Sequence, residues 1–171
     1  MIKEKKTVMT IPKVGFDIDG VVANIYPVWL AFIANEYNVI APSVEDVKEY
    51  GMWKFFDPQL TSNQVSRLLG EVFKQVNLIE PYYDSIEFIK WYDNRYLEDD
   101  EFIYFITARR ESEAKGFTEA WLKRWLLHVN FKVIYAKKSE KYKFIEDNLD
   151  AFVETYSIVI NCRHKIEVYL V

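Results

Sequence analysis

A chain of 171 residues, half of them hydrophobic and 17% aromatic with only five Gly and five Pro, can bury a core as one domain and is neither disordered nor fibrous in composition. Its formal charge of −4 provides no basic field for duplex nucleic acid, so no duplex partner is expected. The single Cys162 excludes an intramolecular disulfide and a multi-cysteine metal cluster; it reads as a small buried residue in a reducing compartment.

No run reaches the roughly 18 apolar residues that cross a bilayer. "IYPVWLAFIA" stops at Asn35, and "MIKEKKTVMTIPK" at the amino terminus lacks the apolar h-region of a signal peptide. The expectation is a cytoplasmic protein with no membrane partner. Nothing in the pattern specifies an oligomer.

Val14 to Ile18 reads as a first strand, and "IYPVWLAFIANEY" after Asn24 as a helix with Pro27 near its first turn. Helices are expected after Ser43 in "SVEDVKEY" and after Thr61, where "TSNQ" is a capping box before "VSRLLGEVFKQV". The helical run "DSIEFIKWYDNRY" leads to the strand "EFIYFIT". In "ESEAKGFTEAWLKRWLLHV" Phe117, Trp121 and Trp125 fall four apart on one helical face, which marks the tryptophans as core, and "FKVIYA" follows as a strand. "KYKFIED", a helical "NLDAFVETY" and a strand-like "SIVINC" close the chain. This order specifies an α/β fold: a Rossmann-like parallel sheet flanked by helices, with a small helical insertion after the first strand. The boundaries are residues 1–24 and 81–171 for the α/β core and 25–80 for the insertion.

Parallel strands gather their carboxyl ends at one edge, where ligands bind. "DID" at 17–19, "ITAR" at 106–109, "KKS" at 137–139 and "IED" at 145–147 all stand where strands should end. Together they offer acidic groups, a hydroxyl and a cation, which suits a divalent metal beside a phosphoryl group. Singly, each has an ordinary explanation: a solvated turn, a helix cap, surface lysines. Their order within one α/β alternation is what carries the reading.

With its "DIDGV", "ITAR", lysine and acidic pair, the sequence resembles the haloacid dehalogenase superfamily. "FDIDGVVAN", "EYGMWKFF", "FITARR", "AWLKRWL" and "FIEDNLDAF" resemble its 5′(3′)-deoxyribonucleotidase-like branch, over about residues 14–160. The resemblance implies a phosphoric monoester hydrolase whose substrate is a small-molecule phosphate ester, a nucleotide above all, with the insertion as a cap. Asp17 would attack phosphorus, Asp19 would protonate the leaving alcohol and then activate water, and Thr107 would bind the phosphoryl oxygens. Lys138, chosen over Lys137 because it precedes Ser139, would neutralise charge. Mg²⁺ would be held by Asp17, the Asp19 carbonyl and Asp147, with Glu146 acting through water or not at all. The C-terminal "NCRHKIEVYLV" departs from the family's tail.

Of the insertion's aromatics, Trp29 and Phe32 read as core, whereas "EYGMWKFF" lacks helical spacing and could present Trp53 or Phe56 to a base. Arg109 could grip an anionic substrate, or be a surface charge at a helix start. His128 and His164 have no metal-ligand spacing. The competing readings are a phosphatase for another small metabolite or a nucleic-acid terminus, a non-catalytic binding protein, and a receiver-type switch. Motif order opposes the last, because receivers place their acidic pair first.

Overall fold

The structure, a computed structural model, describes residues 12–46, 52–56, 59–154 and 157–159. The expectations for Cys162, His164 and the C-terminal segment after Val159 lie outside these residues.

Strand β1, Val14–Phe16, is buried throughout. It runs into a tight loop in which the Ile18 carbonyl accepts the N–H groups of Val21, Val22 and Ala23 at 3.4, 3.0 and 2.8 Å. Gly20 turns this loop at φ 81°, a conformation that a side chain would disfavour. A two-residue strand β2, Ala23–Asn24, leads to helix α1, Tyr26–Tyr37, with its proline in the first turn and Asn38 as a left-handed C-cap at φ 51°.

At the start of the helix expected in "SVEDVKEY", a 3₁₀ turn spans Val44–Asp46, its Asp46 carboxylate accepting the Ser43 hydroxyl at 2.7 Å, and the rest of that stretch lies outside the described residues. The "TSNQ" capping box forms as expected, Thr61 capping helix α2, Ser62–Arg67. The helical run then breaks at Leu68, and α3 covers Leu69–Lys74. Strand β3, Glu80–Pro81, pairs antiparallel with β2 through Ala23↔Pro81 and Asn24↔Glu80, so the two ends of the inserted segment are joined. Two-residue strands leave no periodicity for a sequence to show. The inserted helices enclose an apolar cluster of their own, comprising Tyr26, Leu30, Ile33, Phe56, Leu60, Val65 and Leu68.

Beyond the insertion come α4 (Tyr83–Tyr96), β4 (Ile103–Thr107), α5 (Glu111–Trp125), β5 (Phe131–Tyr135) and α6 (Lys138–Asn148). β6 (Ala151–Glu154) and β7 (Ser157–Val159) follow. The main sheet has the order β5-β4-β1-β6-β7, parallel except for β7, and helices flank it, as the α/β reading required. Alternate residues of β4 face opposite ways. Ile103 and Phe105 pack with Ile86, Ile89 and Tyr92 of α4 and Trp121 and Leu122 of α5, while Ile106 packs with Ile145, Leu149 and Phe152. Trp121 is core, as its spacing indicated, but Phe117 on the same helix is 40% exposed.

One element differs in kind. Of "NLDAFVETY", expected to be helical, Asn148 ends α6 and Ala151–Glu154 form β6, while Thr155 and Tyr156 lie outside the described residues. Leu149 leaves the helix in an extended conformation, and Val14↔Ala151, Gly15↔Phe152 and Phe16↔Val153 pair β6 with β1. The partner strand, 137 positions away in sequence, supplies the backbone bonds that local propensity did not foretell. No helix of the described residues is long and apolar enough to cross a membrane.

Candidate active site

Three strands converge on Asp17. The β1–β6 register that pairs Phe16 with Val153 brings Glu154 level with Asp17, and the Asp17 N–H donates to the Val153 carbonyl at 2.8 Å. On the other side Phe16 pairs with Phe105, so Thr107, the fully buried last residue of β4, stands at the same edge. The Asp17 carboxylate accepts its neighbour's N–H, from Ile18, at 2.9 Å.

Lys141, in the first turn of α6, reaches into this edge. Its ammonium lies 3.1 Å from Asp17 Oδ2 and 2.9 Å from Glu154 Oε1, and its side chain is 5% exposed. Burial alone would lower this ammonium, but Asp17 and Glu154 more than offset it and hold the group above its ordinary value, so it stays charged. Burial is also the dominant influence on the Asp17 carboxyl and pushes it up to about 6. The Lys141 charge opposes that rise, the Asp19 carboxylate reinforces it, and the hydrogen bonds from Lys141 and Ile18 oppose it. Asp17 is therefore ionised at neutral pH.

Arg109 closes the other flank. Its Nε and Nη2 meet the two Asp19 carboxylate oxygens at 3.0 and 2.5 Å, and its Nη1 donates to Thr118 Oγ1 on α5 at 2.8 Å. Its guanidinium carbon lies 4.1 Å from the ring centre of Phe73 on α3. Its backbone N–H donates to Thr107 Oγ1 at 3.2 Å.

The carboxylates of Asp17 and Glu154 share the Lys141 ammonium, and the Asp19 carboxylate pairs with Arg109. Glu154 Oε2 is buried and finds no hydrogen-bond partner among the described residues. A buried, unpaired carboxylate oxygen is costly unless a cation meets it. The donors are all hard oxygens, so they fit Mg²⁺. Among the described residues no three His, Cys, Asp or Glu side chains cluster as a metal-binding group.

Asp17, Asp19, Thr107 and Arg109 thus stand together, as their positions in the sequence required. The expectation for Asp147 needs correction. α6 starts at the edge where β5 ends and finishes where β6 begins, so Asp147, six residues beyond Lys141, lies about 9 Å further down the helix axis. It is exposed and sits toward the opposite edge of the sheet from Asp17, as does the exposed Glu146. The acidic residue that shares a lysine with Asp17 is Glu154. Lys138 opens α6 and its side chain lies outside the described residues; the lysine at Asp17 is Lys141. Arg109, expected to hold substrate, is committed to Asp19, Thr118 and Phe73, with its side chain 3% exposed.

Phe56, expected to stack on a base, is 2% exposed and belongs to the core of the inserted helices, which exclude it from any ligand. Trp53 lies in a 3₁₀ turn at Met52–Phe55, its side chain outside the described residues. Sequence reasoning missed Lys141, Glu154 and Thr118. The signal for Glu154 was present: "AFVE" is an apolar run ending in an acid, like "GFD" of the first strand.

No protein-family model matches the chain, and no curated protein matches it. Among solved structures, a haloacid dehalogenase-like family hydrolase from Xanthomonas campestris is similar, with 16% identity and a TM-score of 0.41 over 87% of this chain and 77% of that one.

Proposed function

We propose that this chain is a Mg²⁺-dependent phosphomonoesterase that works through an aspartyl-phosphate on Asp17, with the inserted segment as a cap and a nucleoside monophosphate as the first candidate substrate. One observation carries the reading: the buried Asp17 carboxylate at the carboxyl edge of a parallel sheet shares Lys141 with Glu154, whose second oxygen has no partner among the described residues. The resemblance of "DIDGV" and "ITAR" to the haloacid dehalogenase superfamily supports it. The nucleotide rests on the sequence resemblance alone.

In this reading an ionised Asp17 oxygen attacks phosphorus, the bond to the leaving oxygen breaks, and Asp19 gives that oxygen a proton so that an alcohol departs. Asp19 then takes a proton from water as the water attacks the aspartyl-phosphate, which frees Asp17 and inorganic phosphate. Thr107 donates its hydroxyl hydrogen to a phosphoryl oxygen. Lys141 lowers the repulsion between Asp17 and the phosphate and fixes the carboxylate's orientation. The carboxylates of Asp17 and Glu154 and the Asp19 carbonyl would hold Mg²⁺. Bound there, it supplies the positive charge that a carboxylate needs to approach a phosphate dianion.

The test is phosphate release from ribo- and deoxyribonucleoside monophosphates, sugar phosphates and an aryl phosphate, with Mg²⁺ and with chelator. Release that requires Mg²⁺ is the expected result. No release from any of them would overturn the enzymatic reading and favour a phosphate-binding protein.

A further inference from the structure

Arg109 is the most fully engaged side chain at this edge, and it occupies neither the nucleophile nor the metal donors. We propose that Arg109 is a positioning residue that fixes the Asp19 carboxylate for proton transfer to the leaving group, and that Phe73 makes this orientation depend on the seating of the inserted segment. The inference rests on the phosphomonoesterase reading.

The two Asp19 oxygens are met by two separate N–H groups of one planar guanidinium, at 3.0 and 2.5 Å. Such a fork sets the plane of a carboxylate as well as its place, which a single lysine donor cannot do. The guanidinium is itself held. Nη1 donates to Thr118 Oγ1 at 2.8 Å. Arginine can only donate, so the Thr118 hydroxyl oxygen accepts, and Thr118 belongs to α5. The orientation of Asp19 is thereby tied to α5 of the core.

The last contact comes from elsewhere. The ring of Phe73 covers the guanidinium face at 4.1 Å, and Phe73 belongs to α3 of the inserted segment, which packs against α5. An aromatic face attracts a desolvated cation and excludes water from it. With α3 seated, Arg109 is dry and its hold on Asp19 is strong; with α3 displaced, water competes for the same N–H groups.

Before the step one Asp19 oxygen leaves its Arg109 N–H and takes a proton from water, and during the step it passes that proton to the leaving oxygen as the P–O bond breaks and the bond from Asp17 forms. The second oxygen can stay on Arg109 throughout, so the carboxyl keeps its aim while one contact loosens. This assigns Arg109 to the leaving group and not to the phosphate. Its effect should therefore scale with how much the leaving group needs a proton. An alkoxide leaves poorly unprotonated, whereas a nitrophenolate leaves unaided.

Arg109→Lys, which keeps the charge, is compared with wild type in Mg²⁺ on an alkyl phosphate and on p-nitrophenyl phosphate, with a thermal melt of each protein. The expected result is a fall in kcat of roughly 10- to 100-fold on the alkyl ester, part of the 10²- to 10⁴-fold range of general acid catalysis, and under about 3-fold on the aryl ester. Phe73→Leu, which keeps apolar volume but loses the aromatic face, should show the same selectivity at a smaller size. Equal losses on both esters, or no loss, would overturn the positioning role.

A second measurement needs no turnover. The Arg109 Nε–H proton, followed by NMR in the metal-free protein, should exchange slowly in wild type and faster in both Asp19→Ala and Phe73→Leu. Unchanged exchange in Phe73→Leu would overturn the link to the inserted segment. If wild type hydrolyses neither ester, the phosphomonoesterase reading fails and takes the leaving-group role with it. The exchange data still decide whether Phe73 governs the Arg109–Asp19 contact.

Discussion

Replacing Asp17 by Asn should stabilise the metal-free protein at neutral pH while abolishing turnover. The Asp17 carboxyl has a pKa of 3.8 in an unfolded chain and about 6 in the fold, chiefly because it is buried. Between those values the unfolded chain has released its proton while the folded chain keeps it. Stability therefore falls as pH rises through the window, and the loss is complete above it. At about 1.4 kcal/mol per unit, ionised Asp17 costs the fold ~3 kcal/mol. About half of that, ~1.4 kcal/mol, develops between about pH 5 and pH 7.5. Asparagine cannot ionise, can still accept the Ile18 N–H, and leaves Lys141 its bond to Glu154. For a chain of this size ~1.4 kcal/mol corresponds to roughly 3–6 °C. Melts in chelator should show the Tm of Asp17→Asn gaining that much on wild type as pH rises over the range. A gap that stays constant with pH, or that closes toward pH 7.5, would refute the claim that Asp17 is held as a costly buried charge.

Three further outcomes follow from the same geometry. Lys141→Met should lower kcat by at least about 100-fold, the scale set by removing one transition-state donor, whereas Lys138→Met should cost under about 3-fold; steady-state kinetics of both decide it. Glu154→Gln should weaken apparent Mg²⁺ affinity by about 10-fold or more, and Asp147→Asn should leave it unchanged within about 2-fold, as read from Mg²⁺ titrations of activity and of thermal stability. Phe56→Ala should destabilise the protein by about 3–5 kcal/mol in urea unfolding and lower activity on all substrates alike, because it opens a cavity in the core of the insertion.

The first strand, the Asp17–Asp19 pair and "ITAR" were legible because each is a run of β-formers ending in a polar group, and such signals are local. Thr61 and its capping box were legible for the same reason. Glu154 was hidden by a nonlocal cause. β6 is only four residues long, only two residues separate it from the end of a helix, and its pairing with β1 makes it a strand. Asp147 was expected because "IED" at 145–147 reads as the end of a strand, whereas these residues lie in α6 and the strand that ends beside Asp17 is β6. Spacing along the helix does not show that Lys141 is a lysine that reaches Asp17; the packing of α6 against the sheet does. The chemistry of Arg109 depends on a partner 90 positions away and on Phe73, neither of which sequence spacing could supply. Phe56 misled because an aromatic in a non-periodic stretch gives no sign of which way it faces.

The central claim is covalent chemistry at Asp17, and it can be read at that residue. During turnover of a phosphate ester in Mg²⁺, borohydride should reduce an aspartyl-phosphate to homoserine, which peptide mass spectrometry locates. The account requires homoserine at position 17, absent in chelator and absent without substrate. Steady phosphate release with position 17 unmodified, or with homoserine at another aspartate, would contradict it.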